Sequence, residues 1–426
     1  NCQLPTANCT TAFITSVLFG VHPLHIESVG WISGRKDVLY GLFFLLSSVF
    51  YLFYLMKEKR KYFWFTLSLI CFIASVLSKA MAVSLVGVLL LIDYYVRKKI
   101  SYKIIFNKLP FIVISLVLGI IAFNLQKHEK AFQGYETYTL IDRILFAFYG
   151  FSVYIFKFIY PYHQAAYYPY PEKANGLLPA NYYLFIVPTL IIVFFVYRSF
   201  KKNKDLFFGI GYYLATVFLV LQLLPVGSSV ISERYTYLPL IGIGFLNARL
   251  FSALFSKSLQ WNVILSKITQ VLIIAHILLM SVICWNRYKV WHDSEVFWTD
   301  LIELNPILSY AYASRGLYYY NEKKDKVKAL KDFDTGLAVD KKSYKTYLNR
   351  GFFYIREGDY PKALFDFNQA IKIKSDIEES YNNRGSIYYF IEKYDSAAID
   401  YSKVIELNPS STEAYGNRAN TYKMLG

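Results

Sequence analysis

The chain has 426 residues, 55% of them hydrophobic and 19% aromatic, with a mean hydropathy of +0.30, which is too apolar for an ordinary soluble domain of this size. Its formal net charge of +16 is spread in short bursts between apolar blocks, which points to membrane topology and away from a nucleic-acid surface. The four cysteines, Cys2, Cys9, Cys71 and Cys284, form no CxxC pair, so neither a zinc site nor a disulfide framework is indicated.

The chain begins without an initiator methionine or a basic leader, and residues 10 to 21 supply only half a span before His22, so it reads as a fragment lacking its true N-terminus. Next comes HPLHIESVGWISGRKDVLYG, residues 22 to 41, which sets two histidines, Glu27, Arg35, Lys36 and Asp37 at the mouth of an apolar block. Charges there are costly to keep unless they are wet or functional. Apolar blocks follow at 38 to 56, 62 to 78, 80 to 96, 104 to 125, 141 to 160, 181 to 197, 206 to 226, 238 to 251 and 268 to 285. Most are long enough to cross a bilayer core, which takes ~20 apolar helical residues.

Three loops, KEKRK at 57 to 61, RKKISYK at 97 to 103 and RSFKKNK at 198 to 204, carry four basic residues each, and the positive-inside rule makes them cytoplasmic. Alternation then places residues 22 to 37, the turn SKAMA at 78 to 82, the loop from 126 and GSSVISERYTYLP at 227 to 239 on the opposite face. Block 141 to 160 must start and finish on that face, so an in-plane or re-entrant helix is predicted there; the alternative is a full span with another one missed. The loop at 160 to 183 is dense in Tyr and Pro, which suits either stacking of sugar or lipid head groups or a plain interfacial belt. By the same count everything from Asn286 onward is non-cytoplasmic, so the suggestive polar motifs share one face.

From residue 286 the apolar blocks give way to a repeat: SRG at 314 to 316, NRG at 349 to 351, NRG at 383 to 385 and NRA at 417 to 419, spaced by 35, 34 and 34 residues. That period is the tetratricopeptide pattern, seen plainly in Tyr381, Gly385, Tyr388, Ala397, Tyr401 and Pro409. Gly316, Gly351, Gly385 and Ala419 are expected to let neighbouring helices approach closely. WHDSEVFWTDLIELNP at 291 to 306 looks like the second helix of a degenerate first unit, with Trp291 and Trp298 as interfacial anchors, and the last repeat stops one helix in, truncated or awaiting a cap. The predicted organisation is a multi-pass bundle over 1–285, a connector over 286–308, and about three and a half repeats over 309–426. The fold class is therefore all-α: a polytopic transmembrane helix bundle followed by a tetratricopeptide solenoid. Asn349, Asn383 and Asn417 recur at one turn of each first helix and would line an extended peptide, which resembles the asparagine ladder in the tetratricopeptide region of O-GlcNAc transferase. Capping or intra-repeat bonding is the alternative role.

HPLHIESVGWISGRKDVL, ERYTYLP and the span-then-repeat layout together resemble the transmembrane and tetratricopeptide-repeat O-mannosyltransferases and their bacterial relatives, members of the C-type glycosyltransferase superfamily. The resemblance implies transfer of a sugar, mannose-like, from a polyprenyl-phosphate donor to a protein hydroxyl on the non-cytoplasmic face of an integral membrane protein. It also implies a catalytic acid in a first outer loop upstream of this sequence. Such chemistry needs a base for the acceptor hydroxyl and cations for the leaving phosphate. Arg35, Arg234, Lys36 and Lys79 are the candidate cations, each with snorkelling to lipid head groups as the alternative. Glu27 and Asp37 are the candidate acids, as base or as ligand to a divalent metal, with pairing to Arg35 or Lys36 as the alternative. Glu233 and Tyr235, beside Arg234, are supporting residues, as are His22 and His25, whose spacing about Pro23 suits helix capping better than a metal. No cofactor is firmly implied. The partners expected are membrane lipid, the polyprenyl-linked sugar and an extended polypeptide. Two rival functions remain: an oligosaccharide ligase or polymerase using a lipid carrier, and a non-catalytic membrane adaptor that presents a peptide-binding array.

Overall fold

A computed structural model describes all residues except 1–8, 98–101, 129–136, 163, 201, 224–226, 228 and 262; it also leaves out the side chains of 103, 126–128, 255–261, 263, 265 and 266. Most of the RKKISYK loop and of the loop from 126 therefore lies outside the described residues, as does Cys2. The protein is all-α and divides into two compact units, Asn1–Trp291 and His292–Gly426.

In the first unit α1 (Cys9–Val21) bends at His22 and Pro23 into α2 (Ile26–Gly30), and α3 (Arg35–Met56) and α4 (Lys61–Ser78) form an antiparallel pair. α5 (Leu85–Arg97), α6 (Tyr102–Phe106) and α7 (Leu109–His128) follow, then α8 (Leu140–Ile159), α9 (Ala180–Leu184), α10 (Ile186–Ser199), α11 (Lys204–Val217), α12 (Pro239–Trp261) and α13 (Val263–His292). Among the described residues, five segments are long and apolar enough to cross a membrane: Ile32–Met56, Lys61–Ser78, Ala80–Arg97, Ala180–Ser199 and Lys267–His292. The bent pair Cys9–Val21 and Pro23–Gly30, at 55°, makes a sixth if taken as one span. α8 is not among them.

Three apolar blocks are less continuous than their composition predicts. Block 104 to 125 is broken at 107–108, where Lys108 turns inward; block 181 to 197 is split at Phe185; and block 206 to 226 stops being α-helical at Val217. Hydropathy reports the depth of a segment but not where its backbone bends, which packing decides. α11 and α12 cross at Gly209 and Gly242: a Cβ on Gly242 would sit 2.3 Å from the Gly209 carbonyl oxygen. Small residues let two backbones meet, the usual device of helix packing in membranes.

The second unit is α14 (Ser294–Leu304) and then helix pairs α15 (Ser309–Asn321) with α16 (Lys326–Val339), α17 (Tyr344–Arg356) with α18 (Tyr360–Ile373), and α19 (Glu378–Phe390) with α20 (Tyr394–Leu407), ending in α21 (Thr412–Leu425). Asp293, Asp325 and Asp359 each accept a hydrogen bond from a first-turn amide of α14, α16 and α18, so these starts are written locally. The repeat glycines act as predicted at three positions: a Cβ on Gly316, Gly351 or Gly385 would lie 2.9, 3.0 or 3.1 Å from the ring of Phe333, Phe367 or Tyr401. Ala419 is exposed instead.

An arginine follows the same logic. Arg315, Arg350 and Arg384 each grip Asp332, Asp366 or Asp400 of their own repeat through two nitrogens. Their third nitrogen reaches back to Thr299, Asp334 or Asn368 of the preceding helix, and Arg418 reaches back to Ser402 in the same way. α14 thus makes to α15 the bond that every second helix makes to the next first helix.

Candidate functional site

The geometry begins at the bend after α1. His22 Nε2 donates to the Phe158 carbonyl at 3.0 Å, and Nδ1 accepts the Leu24 amide, capping the 3₁₀ turn Pro23–His25. His25 Nδ1 donates to the Phe19 carbonyl at 2.7 Å, and its ring packs edge-on against Tyr237. Both rings are buried; no group of three or more potential metal ligands occurs among the described residues. A second turn, Ile32–Gly34, folds the start of α3 beneath α2. Any Cβ on Gly34 would stand 2.6 Å from the Ser28 carbonyl oxygen, so only glycine permits the fold-back. It brings Glu27 and Asp37 inward, while Arg35 and Lys36 stay exposed and make no hydrogen bond or ion pair with any described residue.

Glu27 is answered by the 3₁₀ turn Glu233–Thr236. Its carboxylate accepts the Ser232 hydroxyl at 3.0 and 3.1 Å and the Arg234 amide at 2.8 Å, with the Arg234 guanidinium 3.6 Å away. That guanidinium lies over the rings of Trp31 and Tyr235, at 5.2 and 5.5 Å. Lys79, in the break between α4 and the turn Ala80–Ser84, pairs with Asp37 and stands 5.8 Å from the same Tyr235 ring. Two cations therefore share one aromatic side chain.

Glu233 points elsewhere. Tyr168 donates to its Oε1 at 2.7 Å, Lys157 approaches the same oxygen at 3.9 Å, and Lys157 donates to the Tyr168 hydroxyl at 2.7 Å. Burial pushes the Glu233 carboxyl up to about 7, opposed by the nearby charges of Arg287 and Lys157. The loop before α9 is fastened here too: the Val230 amide donates to the Tyr168 carbonyl, and the Tyr170 hydroxyl to Gln222. In that Tyr-rich loop Tyr160 and Tyr162 stack on each other and are exposed, whereas Tyr168 belongs to the site.

Of the residues singled out from sequence, Glu27, Asp37, Lys79, Glu233, Arg234 and Tyr235 come together, and Arg35 and Lys36 do not join them. The pairings differ from those expected. Asp37 meets Lys79 and Glu27 meets Arg234, because residues adjacent on a helix point in different directions and cannot satisfy one another. Lys157, Tyr168, Ser232 and Arg287 were not identified from sequence as site residues. A lysine near the end of an apolar helix and an arginine after a span read as boundary charges, and only a repeated pairing across homologues would have marked them. A second polar cluster was also missed. Lys108 and Asp93, both buried, pair with each other and with the Tyr51 hydroxyl, and Arg97 is 3.6 Å from Asp93. Tyr51 is fourteen residues along α3 from Asp37, which places this cluster about 21 Å from the first.

In the array, Asn349, Asn383 and Asn417 occupy equivalent, half-exposed positions of α17, α19 and α21. Asn349 and Asn383 make no side-chain hydrogen bond with a described residue, and Asn417 donates weakly to Asn382 at 3.4 Å.

Residues 344–377 and 378–411 each match the tetratricopeptide repeat family. Human protein O-mannosyl-transferase TMTC2 is 34% identical over 94 residues, covering 21% of this chain and 11% of that protein. Human protein O-mannosyl-transferase TMTC1 is 55% identical over 40 residues, covering 9% of this chain and 4% of that protein. Among solved structures, the first TPR domain of human RPAP3 aligns with a TM-score of 0.27 and 23% identity, over 28% of this chain and 94% of that domain. The chain thus matches only about a tenth or less of the length of these curated relatives. It is an all-α protein with tetratricopeptide repeats and several membrane-length apolar helices, similar over short stretches to protein O-mannosyl-transferases.

Proposed function

We propose that this chain is part of a membrane glycosyltransferase that moves a sugar from a polyprenyl-phosphate donor to a protein hydroxyl, with the repeat array holding the acceptor as an extended polypeptide. The observation that carries the reading is the charge count of the cluster at the Glu233–Thr236 turn. Four cations (Lys79, Lys157, Arg234 and Arg287) stand with three carboxylates (Glu27, Asp37 and Glu233), the carboxylates all buried. Among these groups one positive charge is left over, at the ends of apolar helices, and Arg234 retains about a quarter of its side-chain exposure. A partly exposed planar guanidinium lying over two rings suits a phosphate at head-group depth. Arg35 and Lys36, exposed on the first turn of α3, suit attraction of the anionic head group rather than its final grip. Asp37 has one carboxylate oxygen on Lys79 and its other buried oxygen without a hydrogen-bond donor, so it is the better placed of the two candidate acids to act as base or metal ligand; Glu27 is committed to the turn. Asn349, Asn383 and Asn417 offer amides at a spacing of 34 residues to a peptide backbone.

The test uses the full-length protein in lipid nanodiscs with polyprenyl-phosphate mannose and an acceptor peptide, read by mass spectrometry. A gain of one hexose that Arg234→Ala abolishes is the expected result. No transfer from any polyprenyl-phosphate sugar overturns the reading, and addition of a whole oligosaccharide favours a ligase.

A further inference from the structure

Among the three carboxylates of the cluster, two have a cation or more than one donor set directly against them. Glu27 accepts the Ser232 hydroxyl, shared between its two oxygens, and the Arg234 amide, and faces a guanidinium; Asp37 has the Lys79 ammonium in contact with one oxygen. Glu233 differs. It is 1% exposed, has one donor (the Tyr168 hydroxyl), has its nearest lysine 3.9 Å away rather than in contact, and, like Asp37 at one oxygen, has no hydrogen-bond partner for Oε2 among the described residues. A buried carboxylate oxygen without a donor is destabilised as an anion and gains most from a proton.

A route for that proton exists. The Tyr168 hydroxyl accepts from Lys157 Nζ at 2.7 Å and from the Ala165 amide at 2.8 Å, so its own hydrogen is directed to Glu233. Lys157, in the last turn of α8, retains 12% of its side-chain exposure, so the chain Glu233–Tyr168–Lys157 runs from the interior to the surface. Glu233 and Arg234 are consecutive on one 3₁₀ turn, and their side chains serve two halves of one charge cluster.

We propose that Glu233 is a proton-linked positioning residue for the donor phosphate: taking up one proton along Lys157 and Tyr168, it removes a negative charge beside Arg234 and tightens the hold on the anion. The inference rests on the glycosyltransferase reading of the same site. With Glu233 ionised the cluster carries four positive and three negative charges; with Glu233 protonated it carries four and two. An anion therefore binds more tightly below the Glu233 titration than above it, and by reciprocity a bound anion draws a proton onto Glu233. The groups facing Glu233 are Lys157 from α8, Tyr168 from the following loop, Arg287 from α13 and Glu27 from α2. Burial holds its titration near 7.

The experiment measures the donor KM of the full-length protein against pH with polyprenyl-phosphate mannose, a phosphodiester whose own charge is constant over the range. Binding of a sugar-free polyprenyl phosphodiester in nanodiscs is measured alongside. In the wild type KM rises about tenfold between about pH 6 and 8 with little change in kcat. Glu233→Gln keeps a low KM that no longer varies with pH, and Tyr168→Phe, which deprives the carboxylate of its one donor, moves the rise to higher pH. A flat wild-type profile, or a Glu233→Gln profile that matches the wild type, overturns the proposal; should Glu233→Gln not fold, an unmoved Tyr168→Phe profile overturns it equally. If the phosphodiester binds with this pH dependence but no sugar is transferred, the role of Glu233 stands and the glycosyltransferase reading falls. Failure to bind any polyprenyl phosphodiester overturns both.

Discussion

Replacing Arg350 by methionine tests how the repeat array is held together. The guanidinium donates to Asp366 at 2.9 and 2.8 Å and to Asp334 of the preceding helix at 2.7 Å. Side-chain exposures decide which contact matters: 16% for Arg350, 0% for Asp366 and 54% for Asp334. Losing the bond to the exposed Asp334 costs no more than about 1 kcal/mol. Stranding the buried Asp366 carboxylate without its cation costs roughly 3–5 kcal/mol, most of it the penalty of an uncompensated charge. At 1.4 kcal/mol per tenfold, the backbone amides of α17 and α18 then exchange with deuterium about 100- to 4000-fold faster in the Arg350→Met protein. Hydrogen exchange of the full chain, resolved by peptide mass spectrometry, reads this directly. Asp334→Ala alone is expected to accelerate exchange less than about tenfold, and adding Asp366→Leu to Arg350→Met restores most of the protection, because the stranded charge is then gone. Exchange in Arg350→Met within threefold of wild type, or no recovery in the double variant, refutes the reasoning.

Three further outcomes are expected. Gly242→Ala puts a methyl 2.3 Å from the Gly209 carbonyl oxygen, forcing α11 and α12 apart at a cost above about 2 kcal/mol; its melting temperature in detergent falls well below that of Gly20→Ala, where a Cβ meets nothing within 4 Å. Arg234→Lys in the full-length protein retains little more transfer activity than Arg234→Ala, because the planar fork seated on Trp31 and Tyr235 is what an ammonium lacks; equal activity of Arg234→Lys and wild type contradicts the phosphate role. The Glu233 carboxyl is raised from 4.5 to about 7 in the folded state, so its contribution to stability is complete below 4.5 and is lost as pH rises through 7, by roughly 3 kcal/mol at 1.36 kcal/mol per pH unit. Thermal melts should therefore show Glu233→Gln more stable than wild type at about pH 8 and not at about pH 5; a stability gap that does not change with pH contradicts the assignment.

Sequence by itself determined the helical class, the apolar segments and the repeat array, because each is written in a local period. Runs of apolar residues set span length, the 34-residue recurrence of glycine and tyrosine sets the stacking, and Asp293, Asp325 and Asp359 fix helix starts within one turn. It also marked Glu27, Asp37, Lys79, Glu233 and Arg234, since charge at the edge of an apolar block stands out against its surroundings. Which charge meets which was decided only by the tertiary structure. Asp37 passes over its neighbour Lys36 for Lys79, and Glu27 reaches Ser232 and Arg234 more than two hundred residues away. The Lys108–Asp93 pair was hidden for the same reason. A buried ion pair is settled by side-chain direction and by which helices touch, and neither is a property of any stretch short enough to read along the chain.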